Sequence, residues 1–115
     1  MVGDAVDSRQ PVVVAWVYIL ECSDGSYYVG STTNLEARLW QHQYGDGGAA
    51  YTRKRRPVRL VWYGEFERTA EAYSFEKRVQ GWGRAKREAL IRGDFDALPM
   101  LASRSWESRR RSSPE

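Results

Sequence analysis

The run Val12-Val13-Val14-Ala15-Trp16-Val17-Tyr18-Ile19-Leu20 does most to limit what this chain can become. It is dense in β-branched and aromatic residues, whose stiff side chains suit a pleated surface. Such a run predicts a strand buried on both faces, and it is too short to span a bilayer. Ser23-Asp24-Gly25-Ser26 follows. An Asp-Gly pair is a strong hairpin signal, because glycine accepts the positive φ that a tight turn requires. Tyr27-Tyr28-Val29-Gly30 then predicts the returning antiparallel strand.

The pattern next changes period. Thr33, with Glu36 three residues on, predicts a capping box. Leu35 and Leu39 supply an i, i+4 stripe for a helix over 34–44. Gly45, Gly47 and Gly48 end it and open a flexible basic loop that closes at Pro57. Residues 58–66 predict a third strand, with Val58, Leu60 and Trp62 on one face and Arg59, Val61 and Tyr63 on the other. Thr69 is the expected N-cap of a second helix, with Glu71 in its first turn and Ala72, Phe75, Val79 and Trp82 along its apolar side. Gly81 and Gly83 interrupt it, and 84–92 form a third helix ended by Gly93. The order β-β-α-β-α-α predicts an α/β domain of the α+β type, a small three-stranded antiparallel sheet flanked by helices. Trp16, Trp40, Trp62, Phe75 and Trp82 are assigned to packing.

With 115 residues the chain has room for one domain. The expected division is a flexible segment over 1–11, the domain over 12–98 and a weakly ordered tail over 99–115. Cys22 is the only cysteine and His42 the only histidine, which excludes an intrachain disulfide and argues against a structural zinc site. The first residues lack the apolar core of a signal peptide, and the expected compartment is the cytoplasm. Eighteen Lys and Arg against fifteen Asp and Glu leave a net charge of only +3. The clustering says more: Arg53, Lys54, Arg55, Arg56 and Arg59 fall together, as do Arg84, Lys86, Arg87 and Arg92. Clusters of this kind are the electrostatic footprint of a nucleic-acid binder, although the first is also consistent with a solvated loop.

Candidate chemistry follows from which side chains the elements bring together. Tyr18 and Tyr28 lie on adjacent antiparallel strands, so they can share one sheet face. Arg38 and His42 are i, i+4 and share one helix face. A helix laid across the hairpin makes the four converge, and Glu76 can complete the group from the second helix. Taken singly, each has a plainer role. The tyrosines can be core aromatics with hydroxyls at the rim, Arg38 a solvated charge, His42 a structural imidazole and Glu76 the partner of an arginine rather than of a metal.

Taken jointly, these residues resemble the GIY-YIG nuclease superfamily. Val17-Tyr18-Ile19 stands where that family has Gly-Ile-Tyr, and Tyr28-Val29-Gly30 where it has Tyr-Ile-Gly. Asn34 and Leu35 open the next helix as the family does, Arg38 and His42 match its Arg-x-x-x-His element, and Glu76 matches its acidic position. The segments Gly47-Gly48-Ala49-Ala50-Tyr51-Thr52-Arg53 and Phe75-Glu76-Lys77-Arg78-Val79-Gln80-Gly81-Trp82 are similar to those of the small stand-alone bacterial members. Ser31 stands where some relatives carry a lysine, which removes one charge that would neutralise phosphate.

The resemblance implies a metal-dependent endonuclease that hydrolyses phosphodiester bonds in DNA, structure-specific or repair-related. It implies Glu76 as ligand of Mg²⁺ or Mn²⁺, Arg38 as the cation on the phosphate, and Tyr18, assisted by His42 and Tyr28, as the group that orients or deprotonates the water. A phenol of ordinary pKa is a poor base at neutral pH, so nearby cations are expected to lower it. The loop residues Arg53, Lys54, Arg55, Arg56 and Arg59 are the expected nucleic-acid contacts. A domain this small would need a homodimer or a protein partner to cut both strands, and no membrane is implied. A non-catalytic nucleic-acid-binding module is the alternative, and a protein-interaction domain on the same fold is a third reading.

Overall fold

The computed structural model describes residues 12–46, 49–94, 96, 98 and 110–112. Strand β1, Ala15–Glu21, begins three residues later than the apolar run. It forms the middle of the sheet, antiparallel to β2 (Tyr27–Thr32) on one side and to β3 (Arg59–Phe66) on the other. Central position explains why the run carries no polar face: Val17, Tyr18, Ile19 and Leu20 are all buried. The β1–β2 connection turns at Gly25, whose φ of +84° is the left-handed conformation that glycine alone adopts without strain. Asp24 fixes that turn by accepting from the Ser26 amide at 3.0 Å and the Ser26 hydroxyl at 2.6 Å.

Helix α1 spans Leu35–Tyr44. Its cap is Asn34 and not Thr33. Asn34 keeps an extended backbone (φ −145°) while its Oδ1 accepts from the Ala37 amide at 3.1 Å, so the expected capping box does not form. At the other end Arg56 donates to the carbonyls of Gln41, His42 and Gly45 at 3.1, 2.7 and 2.6 Å, satisfying acceptors that a helix C-terminus leaves open. The stretch expected as a flexible loop contains a single helical turn, α2, Ala50–Arg53.

Helix α3 spans Thr69–Gln80 and buries Ala72, Phe75 and Val79, as its spacing predicts. Thr69 is its first helical residue rather than its cap. Arg68 holds the cap position with no side-chain bond. After the break at 81–83, α4 runs Arg84–Arg92 and ends at Gly93 (φ +79°), where the Asp94 amide donates back to the Ala89 carbonyl at 2.9 Å.

The expected order is therefore present, with two additions: the turn α2, and a short strand β4, Arg110–Ser112, which pairs with β3 inside the stretch expected as a tail. The sheet order is β2-β1-β3-β4.

The sheet has two unlike faces. One packs Ala15, Val17, Ile19, Val29, Trp62 and Phe66 against Phe75 and Val79 of α3 and Leu90 of α4. The other lies under α1, with Tyr18, Leu20 and Leu60 turned toward it. The expected alternation of β3 breaks here. Ile19 pairs with Trp62 but Leu20 pairs with Leu60, so Val61 is an extra residue at a bulge. Leu60 and Trp62 thus sit on opposite faces. Leu60 joins Leu20, Leu39 and Trp40 in a groove of about 370 Å³ beside α1, and Trp62 is fully buried in the core. Trp40 departs from its packing assignment, since it is 60% exposed, with its ring against that of Tyr44.

Candidate active site

Tyr18 points to the α1 face because β1 alternates and its neighbours Val17 and Ile19 take the core. Its register partner on β2 is Gly30. The phenol lies across that glycine: a Cβ at position 30 would come within 2.5 Å of the Tyr18 hydroxyl oxygen. The glycine is needed for space, not for turn geometry.

The Tyr18 hydroxyl meets His42 Nε2 at 2.8 Å, and His42 Nδ1 meets the Thr52 hydroxyl oxygen at 2.8 Å. The protons along this line can be assigned. The Thr52 hydroxyl has one hydrogen, which it donates to the Ala49 carbonyl at 3.0 Å. Its oxygen must therefore accept from His42 Nδ1–H. That leaves Nε2 as a lone pair, so Tyr18 is the donor. All three side chains are buried. Burial, reinforced by the Arg38 and Arg56 charges, brings the His42 pKa down to about 4, so the imidazole is neutral at pH 7.

Burial also raises the Tyr18 pKa, with Tyr28 and Glu76 adding to the effect. Arg38 pulls the other way and loses. The expectation that cations would lower this phenol is therefore corrected, because desolvation outweighs the guanidinium. Tyr28 is half-buried, its ring 5.1 Å from that of His42 and 6.5 Å from that of Tyr18. Its pKa too is raised, by burial and then by Glu76, against opposing Arg38 and Lys77.

Glu76 lies mostly covered, its side chain 12% exposed. Ser31 donates to Oε1 at 2.6 Å and Gln80 to Oε2 at 2.8 Å, and Gln80 also donates to the Val29 carbonyl at 3.1 Å. The carboxylate is thus tied to β2 and held at a fixed height. Its partners are the Ser31 hydroxyl, the Gln80 amide and, at 3.9 Å, the Lys77 ammonium, not the arginine that the plainer reading expected. The structure brings the five expected residues to one place: Tyr18, Tyr28 and His42 are in ring contact, and the charges of Arg38 and Glu76 both act on both phenols.

The basic segment is not brought together as a unit. Arg56 is committed to the end of α1. Arg55 pairs with Asp24 at 3.0 Å and lies over the Tyr51 ring. Arg59 pairs with Glu21 at 2.5 Å, and Arg53 donates to the Asp46 carbonyl at 3.0 Å. Lys54 is exposed. Sequence reasoning missed Thr52, whose role depends on a turn it did not expect. It read Ser31 only as a missing charge and passed over Gln80, although the i, i+4 spacing of Glu76 and Gln80 was there to be seen.

Two antiparallel strands carrying paired tyrosines, under a helix carrying Arg38 and His42 and beside a helix carrying Glu76, define a nuclease-type α+β domain. The chain belongs to the GIY-YIG family: the model of the GIY-YIG catalytic domain matches residues 14–89. A UPF0213 protein of Halobacterium salinarum is 47% identical over 75 residues, which are 65% of this chain and 96% of that protein. A UPF0213 protein of Streptococcus pneumoniae is 42% identical over 93 residues, 80% of this chain and 93% of that one. Among solved structures, the solution NMR structure of a UPF0213 protein from Bacillus halodurans shares 45% identity over 67% of this chain and 81% of that chain, with a TM-score of 0.45.

Proposed function

We propose that this protein is a metal-dependent endonuclease that hydrolyses phosphodiester bonds in DNA, with a structure-specific or repair-related role. The observation that carries the reading is the directed line Tyr18–His42–Thr52 beside an anchored carboxylate. Hydrolysis needs a base for water, positive charge on the phosphoryl oxygens and help for the leaving oxygen.

The acidic position fits Mg²⁺ or Mn²⁺. Among the described residues no three His, Cys, Asp or Glu side chains gather, so Glu76 would be the one protein anion on the ion. Mg²⁺ accepts such sites, keeping several waters and taking substrate phosphate oxygens. Two of the carboxylate's lone-pair positions are used by Ser31 and Gln80, and others remain. A bound ion would supply Lewis-acid polarisation of the phosphate and charge for the leaving oxygen.

The base is a pair rather than a preformed phenolate. Tyr18 takes a proton from water as it passes its own to His42 Nε2, so neither buried group has to carry charge before substrate arrives. The Arg38 guanidinium favours the phenolate character that develops, and an incoming phosphate favours the imidazolium. Thr52 fixes the tautomer and aims the ring, as the orienting member of a triad does. Arg38 faces the phosphate as a planar fork. Arg53, Lys54, Arg55 and Arg59 supply outer contacts to the DNA backbone, and Arg56 is left to the scaffold.

The test is incubation of the purified chain with linear, nicked, branched and single-stranded DNA in Mg²⁺ or Mn²⁺, beside Glu76→Ala. Cleavage is expected in the parent and lost in the variant. No cleavage of any substrate, or cleavage undiminished in Glu76→Ala, would sink the proposal.

A further inference from the structure

Two exposed tyrosines flank the cluster from different elements, and each carries a cation on its ring. Tyr51 of α2 is 38% exposed, with its centroid 6.0 Å from that of Tyr28. The Arg55 guanidinium lies 3.8 Å from the Tyr51 centroid. On α3, Tyr73 is 58% exposed and stands one turn before Glu76, on the adjoining helix face. The Lys77 ammonium lies 4.7 Å from the Tyr73 centroid and 3.9 Å from Glu76 Oε2.

Exposed aromatics scattered singly need no explanation. These two differ because Tyr51 adjoins the Tyr28 phenol while Tyr73 stands one turn from the Glu76 carboxylate, and both pair a ring with positive charge. Trp40 and Tyr44 are exposed as well, but they project from the side of α1 away from Arg38 and His42.

A ring for the base and a cation for the adjacent phosphate is the arrangement that binds single-stranded nucleic acid. Base faces inside a duplex are stacked on one another and cannot reach such a ring unless the nucleotide leaves the stack. We propose that Tyr51 and Tyr73 are base-stacking subsites on either side of the Glu76 carboxylate, with Arg55 and Lys77 on the neighbouring phosphates, and that the DNA strand enters unpaired. This rests on the nuclease reading and deepens it, by assigning the substrate form and the residues that select it.

The experiment is metal-free binding by the full chain, in EDTA, read by anisotropy of a labelled oligodeoxythymidylate of about 12 nucleotides and of a duplex of equal length. The single strand is expected to bind more tightly. Tyr73→Ala weakens single-strand binding roughly tenfold, as loss of one stacked base does, and leaves duplex binding within about twofold. Tyr73→Phe, which keeps the ring, restores the parent affinity. Lys77→Gln flattens the salt dependence by about one phosphate contact. Trp40→Ala changes nothing. A parent that prefers duplex, a Tyr73→Ala loss equal on both ligands, or no loss at all would overturn the inference. Because cleavage is not the readout, an inactive enzyme that still shows these losses defeats only the nuclease reading. An active one that lacks them defeats only the subsites.

Discussion

The two faces of the sheet are built from the same strands under opposite rules. Behind the sheet, Val17, Ile19, Trp62, Phe75, Val79 and Leu90 form an apolar interior whose members are interchangeable in kind, because area removed from water has no direction. Under α1, Tyr18, His42 and Thr52 are equally buried, but each is held by a hydrogen bond of fixed polarity. A buried polar group is tolerated only while its partner is present. The rear face is therefore expected to contribute most to stability, and the front face to the proposed chemistry. Substitutions separate the two.

The largest effect is expected from Tyr18→Phe. With the hydroxyl gone the relay has no first member, and cleavage should fall by about 10²–10⁴. Stability should fall by only about 1–3 kcal/mol, for the unpartnered His42 Nε2. Single-turnover rates beside thermal melts measure both, and an unchanged rate breaks the comparison. Leu90→Ala asks the converse question. A core truncation of this kind costs about 2–5 kcal/mol, so the melting temperature should drop well below that of the parent. The rate per folded molecule at low temperature should remain, and a rate lost in proportion to nothing but the mutation would show that the faces are coupled.

A third, smaller effect is written into His42. Its pKa is brought down from an ordinary value near 6.5 to about 4, so between these values the unfolded chain binds the proton and the folded chain does not. Stability is then full above about pH 6.5 and declines as pH falls toward 4, by at most about 3 kcal/mol. Denaturant melts across that window should show the decline, and His42→Gln should flatten it. The smallest effect belongs to Arg59→Ala. Its ion pair with Glu21 is exposed, and such pairs contribute about 1 kcal/mol or less. The variant should melt with the parent, and what it changes should appear only in the salt dependence of DNA binding.

Much of the fold was legible because it rests on local rules. The period-two and period-3.6 patterns, the Asp24-Gly25 turn and the Gly93 stop each act over a few residues, and α4 falls where its pattern predicts. The misplacements share a physical cause. Thr33 and Thr69 are both good cap residues, but which residue leaves the helix depends on how the chain enters from β2 and β3, and that is a tertiary matter. The bulge at Val61 is another case. Strict alternation describes an isolated strand, whereas the register against β1 decides where one residue is skipped.

The candidate site divides in the same way. By itself the sequence determined the residue types and their order: Tyr18 and Tyr28 on a hairpin, Arg38 and His42 one turn apart, Glu76 on a later helix. Only the tertiary structure decided the direction of the protons. Thr52 lies ten residues beyond His42, on a turn that no local pattern announced, and its single hydrogen bond to Ala49 fixes the imidazole and makes Tyr18 the donor. The phenol's pKa was decided there too. A nearby cation is visible in a sequence, but the water excluded around a buried side chain is not, and for Tyr18 the exclusion of water outweighs the cation.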